Sequence, residues 1–492
     1  MSFLPKKKKK YTVFWILGIV AILVFFIITS ILFYRKQSSL VKTVFTQIPS
    51  YDTQESNKEE KISIIETAQL FGGFQGPKTY LVLFQNNTEL RPGGGFIGTY
   101  AVVRVEEGDM DIVTVEGSGR LDARAPASFQ TIPPKQIQEY LGINTWFFRD
   151  SNWFPDFEKS AQKALELYRL EGGVAADDID MVVGVTPTVL ERILAIIGPV
   201  TIENIEFTAS NVTEVLEYEV EYDYKERNIP FEERKHIIQP FFTHVTRMVK
   251  RSALFHLSDY LNLAQDMIQE KHILVYAPNN PERSVVTAYG ADGIIQKTDG
   301  DFLLWVDTNL AALKTDHAME RTLDYVIKKD SNGIFTSQAR MNYNHTGNFD
   351  WRTSRYRTFP KIYVPKGAIL TSAEIVHDGN RKNIPLSSID SGEFLDKTWF
   401  GLFISIEPQT QKTVSLSYQL PETIQEQIIS GSYSAVIQKQ LGTIAHGLTL
   451  LLDFGKTIVG ANPPEEKAEW GNTQYVIQTD LRTDRVFRVD LE

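Results

Sequence analysis

The 492-residue chain contains no cysteine. That excludes a disulfide scaffold, a cysteine-ligated zinc site and a thiol nucleophile together. Histidine is scarce, at eight residues. None forms a His-Glu-x-x-His pair or a close pair at zinc-ligand spacing, so a zinc centre of that design is not expected. A Gly-x-Ser-x-Gly nucleophile elbow is also missing. With 31 Gly and 21 Pro the chain is not collagen-like, and 42% hydrophobic with 23% charged residues is ordinary globular composition. No internal repeat is found. At ~150 residues per domain the length suggests about three domains.

Charge is unevenly placed. Residues 1–36 hold seven basic side chains and no acidic one, which leaves 44 basic against 61 acidic residues and a net of −17 for the rest. A body that acidic argues against non-specific nucleic-acid binding. Tyr11 to Tyr34 carries no charge over 24 residues. As a helix it reaches ~36 Å, enough to cross a ~30 Å hydrocarbon core. Tyr11, Phe14 and Trp15 at one end, and Phe33 and Tyr34 at the other, fit interfacial belts. The run is longer than a cleaved signal peptide needs and is followed by Arg35-Lys36, so it reads as an uncleaved anchor. Lys6 to Lys10 place the N-terminus in the cytoplasm and the bulk of the chain outside.

The expected organisation is a basic tail (1–10), a transmembrane anchor (11–34), a polar stalk (35–68), an α/β domain (69–299) and a mostly β domain (300–492). Strands are predicted at Thr79–Phe84, Phe96–Val105, Met110–Val115, Ile179–Val185 and His272–Tyr276. Helices are predicted over Glu158–Glu171 and after Thr186-Pro187, with two or three more between 207 and 270. A helical signal runs from Thr315 to Lys329. Beyond it, short strands with Pro, Gly and Asn turns predict a C-terminal antiparallel β-sandwich.

Several loops carry candidate chemistry. Arg91, Arg120, Arg124 and Arg149 lie at strand ends or in loops, with Glu89, Asp122, Asp150 and Asp156 nearby in sequence. Arginine forks suit phosphate, and carboxylates suit Mg²⁺. Solvated surface ion pairs are the plainer explanation. Gly93-Gly94-Gly95 reads first as a turn and second as an anion cradle. The aromatic run Trp146-Phe147-Phe148 with Trp153-Phe154 reads first as core packing and second as a lipid-tail lining.

Three stretches carry a family resemblance. They are Leu81 to Phe96 with its Glu89-Leu90-Arg91-Pro92-Gly93-Gly94-Gly95, then Phe154-Pro155-Asp156-Phe157, and Asp180 to Pro199. Val306 to Asp316 and Tyr356 to Gly367 extend it. Together they resemble the bacterial domain-of-unknown-function family 4012, which implies a membrane-anchored envelope protein and supplies no reaction. The element order is also similar to the LytR-CpsA-Psr family, which transfers glycopolymers from a polyprenyl-pyrophosphate carrier to cell wall. Gln85 to Arg91, Phe96 to Thr99 and Gly119-Arg120-Leu121-Asp122 stand near that family's motifs. Departures are Asn87 for an acidic residue, a missing Asp in the second motif and Leu121 inserted in the third.

That resemblance implies phosphate binding by Arg91, Arg120 and Arg149. It implies Mg²⁺ held by Glu89, Asp122 and Asp150, and catalysis by Asp122 and Glu89. The partners implied are the membrane, a polyprenyl-phosphate lipid and an envelope polysaccharide. The expectation is a single-pass protein of a bacterial cytoplasmic membrane, with a LytR-CpsA-Psr-like α/β domain and a β-sandwich, that binds or transfers a lipid-linked glycopolymer. The alternative is a non-catalytic surface scaffold.

Overall fold

A computed structural model describes residues 64–219, 222, 237–253, 255–465 and 471–492. The basic tail and the expected anchor at 11–34 lie outside them. Among the described residues no helix is long and apolar enough to cross a membrane.

Helix α1 (Ile64–Phe71) precedes a meander of β1 (Lys78–Asn86), β2 (Phe96–Glu106) and β3 (Asp109–Gly117). Then come α2 (Ser118–Asp122), α3 (Lys135–Leu141), α4 (Phe157–Leu170), β4 (Met181–Val185) and α5 (Thr188–Ile197). The hairpin β5 (Val200–Ile202) and β6 (Ile205–Phe207) leads to α6 (Val212–Tyr218), α7 (Ile238–Ser252) and α8 (Leu257–Gln269). Strand β7 (Ile273–Tyr276) and α9 (Glu282–Ala288) close this part. The sheet runs β3-β2-β1-β4-β7. Only β1 and β4 are parallel in it.

Both faces of this sheet are covered, which explains the near-continuous apolar run of β1. Tyr80, Val82 and Phe84 join α5, α7 and α8 in one core, while Leu81 and Leu83 face α4 in another. Helix α4 presents Phe157, Ala161, Ala164, Leu165 and Tyr168, spaced for one face. Asp156 caps it by accepting from Lys159 N at 3.0 Å, and its other oxygen accepts from Ile295 N at 2.9 Å.

The remainder is β8 (Asp301–Val306), β9 (Met319–Lys329), β10 (Phe335–His345), β11 (Tyr356–Thr358), β12 (Lys361–Pro365), β13 (Ile369–His377), β14 (Asn380–Asn383), β15 (Asp390–Phe394), β16 (Lys397–Gly401), β17 (Ile404–Ile406) and β18 (Gln411–Gln419). After α10 (Glu422–Ser430) come β19 (Ser432–Gln438), β20 (Gly447–Asp453), β21 (Ile458–Asn462), β22 (Gln474–Asp480) and β23 (Arg485–Leu491). Two seven-stranded sheets, β14-β13-β18-β10-β9-β20-β22 and β15-β16-β12-β8-β19-β23-β21, share one core. Each contains one parallel pair, β9 with β20 and β8 with β19, so the expected all-antiparallel pairing is corrected. The architecture as a whole is mixed α/β with several sheets.

The helix expected over Thr315–Lys329 is a 3-10 turn, Thr315–Ala318, followed by strand β9. Arg321, Leu323, Tyr325 and Ile327 are buried on alternate positions, so the true period is two. The buried arginine disguised it, because a charge at an inward position breaks the apolar pattern that period-reading relies on.

Candidate functional site

Strand β1 ends in a turn closed by Asn86, whose Oδ1 accepts from Thr88 N at 3.0 Å and Thr88 Oγ1 at 2.7 Å. The turn delivers Glu89 and Arg91 to a loop packed against the 3-10 turn Phe148–Asp150, which also contacts α2. Five of the six candidate residues meet there. Arg91 Nη2 lies 3.2 Å from Glu89 Oε1, and Arg91 Nε 3.3 Å from Asp150 Oδ1. Arg149 Nε continues the chain, 3.7 Å from Asp150 Oδ2 and 3.3 Å from Asp122 Oδ2. Arg120 stands apart, exposed on α2.

A sixth member was not expected from sequence. Glu171, 1% exposed, ends the chain of charges beside Asp122 and accepts from Phe148 N at 2.7 Å. An acidic side chain just past a helix C-terminus opposes the helix dipole, and that oddity was the available signal. Asp122 is pushed up to about 6 by burial, with the Arg149 charge opposing. Burial and then the Asp122 charge push Glu171 up to about 8. Glu89 is raised by burial against the pull of Arg91. Burial works against the Arg91 charge, and Glu89 and Asp150 outweigh it to raise its pKa.

The two arginines of the chain differ. Arg91 is 3% exposed, and its fork is committed: Nη1 donates to Leu90 O at 3.2 Å and Asn309 O at 2.9 Å, besides the two carboxylates. Arg149 keeps a one-third exposed side chain and stacks over Phe147 at 5.5 Å. The glycine turn is equally committed, since Gly93 N donates to Asn152 O at 2.9 Å and Gly94 N to Arg91 O at 3.1 Å. Trp146, Phe148 and Trp153 are buried in the core under α4.

Magnesium does not fit Glu89, Asp122 and Asp150 in this arrangement. Arg91 stands between Glu89 and Asp150, and Arg149 between Asp150 and Asp122. Among the described residues no three carboxylate or imidazole side chains converge as cation ligands.

The same loop joins a second buried network. Leu90 N donates to Asp316 Oδ2 at 3.0 Å, Asp316 N to Thr88 O at 3.2 Å and Asn309 N to Leu90 O at 3.0 Å. Behind them Arg321 donates to Asp307 at 3.0 Å, Asp316 at 2.5 Å and the Tyr356 hydroxyl at 2.7 Å. Asn87 Nδ2 reaches Gly442 O at 3.0 Å. The segments that carried the family resemblance therefore form one tie between the five-stranded sheet and the paired sheets.

No curated protein matches the chain. Solved structures align loosely. A Legionella pneumophila protein named for nutrient binding is 7% identical, over 39% of this chain and 71% of its own, at a TM-score of 0.26. A Parabacteroides distasonis protein named as a protease is 7% identical, over 36% of each chain, at 0.19. An M1 zinc metallopeptidase from Deinococcus radiodurans is 8% identical, over 37% of this chain and 44% of its own, at 0.16. The chain thus spans less than half the length of the latter two, and alignments this loose carry no argument about function. The family model for DUF4012, a protein of unknown function, matches residues 75–221, from the loop before β1 past the end of α6. Over that region the chain is similar to the DUF4012 family.

Proposed function

We propose that this is a membrane-anchored protein of the bacterial envelope that binds a polyprenyl-phosphate-linked glycopolymer at the outer face of the membrane. The anchor at 11–34 and the basic tail set the topology, and the LytR-CpsA-Psr-like order of elements suggests the ligand. One observation carries the phosphate-binding part. Arg149 is a partly exposed guanidinium standing on buried acids, and exposed Arg120 lies on the helix that packs against its turn. The Arg149 fork offers bidentate donors to a phosphate. Arg91, by contrast, is committed within the protein and serves to hold Asp150, which in turn positions Arg149. Binding without transfer is the reading the committed carboxylates favour.

Transfer is a second reading, favoured by the Asp122 and Glu171 pair. Groups lifted to about 6 and about 8 exchange a proton near neutral pH, where a general acid or base works best.

The test is mass spectrometry of lipids that co-purify with the full-length protein in mild detergent. Wild type should retain a polyprenyl phosphate or pyrophosphate in stoichiometric amount. Replacing Arg149 and Arg120 with Ala should cut that amount by about tenfold, as expected for losing a bidentate charged contact. Bulk phospholipid alone, even after synthetic polyprenyl phosphate is added, would rule out the ligand. Retained lipid without turnover in transfer assays would leave binding as the function.

A further inference from the structure

The outer face of the sheet β15-β16-β12-β8 is unusual in its chemistry. Register sets its membership: Lys361 pairs with Gly401, Tyr363 with Trp399 and Pro365 with Lys397, and Phe394 pairs with Lys397 on the far side. Directly paired residues project to one face. Lys361, Lys397, Trp399, Phe394 and Tyr363 therefore share the face turned away from the sandwich core, while Ile362, Val364 and Phe400 fill that core. Phe154 stacks on Phe394 with ring centroids 5.6 Å apart and covers one end. Trp399 and Phe394 remain half-buried.

Both lysines point their ammonium groups at aromatic rings, with Asp390 farther along the same face through its pairing with Gly401. Lys361 Nζ sits 4.6 Å from the Trp399 ring centroid, 5.6 Å from Trp153 and 5.8 Å from Phe359. Lys397 Nζ sits 4.3 Å from Phe302. They are 8% and 5% exposed, and neither Nζ makes a hydrogen bond or ion pair with a described residue. Asp390 acts on Lys361, and Asp396 and Asp301 act on Lys397; Asp390 is held by Lys135 Nζ at 3.0 Å and Gln136 Nε2 at 3.1 Å, and Asp301 by the Tyr325 and Tyr433 hydroxyls. Lys439 shows how this protein treats a lysine buried for structure alone. Its Nζ has the carbonyls of Gln440 and Thr443 and the Thr443 hydroxyl as acceptors. Burying an ammonium without acceptors is costly, and ring faces offset only part of that cost. Neither Nζ is among the fully buried atoms without a partner, so both ammonium groups on this aromatic face stay open to an anionic oxygen from outside. Burial also pulls Lys361 down to about 8, with the Asp390 charge opposing.

We propose that this face binds an acidic saccharide, with Trp399 and Phe394 stacked on a sugar ring and Lys361 and Lys397 donating to its carboxylate oxygens. An aromatic plane with flanking donors matches a ring that has one apolar side and polar edges. The proposal rests on the glycopolymer reading for its ligand class and on no part of the Arg149 cluster. The loop 146–154 supplies both Arg149 to that cluster and Phe154 to this face, so one polymer chain has a short path between them.

The experiment is calorimetric titration of the full-length protein in detergent with hexagalacturonate, neutral maltohexaose and polyglutamate. Wild type should bind hexagalacturonate at least about tenfold more tightly than either control. Lys361→Gln and Trp399→Ala should each weaken it by about tenfold, the scale of one charge-assisted contact. Arg149→Ala should bind it unchanged. Lys361→Met, which needs no acceptor, is the second variant should Lys361→Gln fold poorly, and the melting temperature reports on both. Equal binding of maltohexaose, equal binding of polyglutamate, or Lys361 variants that bind like wild type would each overturn the proposal. Loss of polyprenyl phosphate with saccharide binding intact would instead count against the Arg149 reading alone.

Discussion

At the scale of single residues, Arg91 and Arg120 look alike in sequence and behave oppositely in the fold. Removing the Arg91 side chain strands the buried carboxylate of Asp150, the half-buried one of Glu89 and the carbonyl of Asn309. Arg91→Ala should therefore cost about 3–5 kcal/mol of stability, the range for breaking a buried pair, read by urea denaturation. Arg120→Ala should stay within about 0.5 kcal/mol. Glu171 makes the second residue-level prediction. Its carboxyl is held up to about 8 in the folded chain, against about 4.3 when unfolded. Between those values the folded chain keeps a proton that the unfolded chain has lost. The stability this group contributes is complete below about pH 4 and is lost as pH rises through about 8. Glu171→Gln removes that exchange, so its melting temperature should climb relative to wild type from about pH 5 to about pH 8.5. Parallel melting curves for the two proteins across that range would refute the assignment.

At the scale of elements, the glycine turn and the helix caps make the sharper cases. Gly94 has φ +129°, and a Cβ there would run into the Gln85 amide. Gly442 has φ +71°, and its Cβ would meet the Gly94 carbonyl. Alanine at either should destabilise by more than the ~1 kcal/mol typical of compatible glycine changes, and Gly442→Ala should also raise protease sensitivity at the junction. Asp156→Ala should cost about 1–2 kcal/mol through the lost cap. Most of the α/β elements were legible in the sequence because their apolar residues run in unbroken local patterns, as in β1 and α4. β10 was not. Its inward residues include Ser337 and Ala339 beside Phe335, Met341 and Tyr343, so the alternation is weak in hydropathy although perfect in burial. The charged cluster was readable in part, since Glu89, Arg91, Asp122, Arg149 and Asp150 all stood out as loop charges. The role of Arg91 was not, because its partner Asn309 lies 218 residues away in the chain.

At the scale of the molecule, the loop 86–91 decides how the parts behave together. Its side-chain and backbone bonds to Asp316, Asn309 and Gly442 are joined by Glu217, which accepts from Asn86, Thr88 and Arg352. Contacts so dense couple the two parts energetically. Scanning calorimetry of the chain should then give one transition for these two parts, with the calorimetric and van't Hoff enthalpies in agreement. Two resolved transitions would contradict this coupling.

That loop also has a mechanical meaning. If the chain is tethered through residue 64 to a membrane and holds a polymer on its paired sheets, pulling on the polymer loads the connection between them. The bonds made by residues 87–91 lie within one short stretch, so tension is shared among them rather than taken one at a time. The junction then yields in a single step at high force, and below that force the load passes to such a tether without separating the two halves.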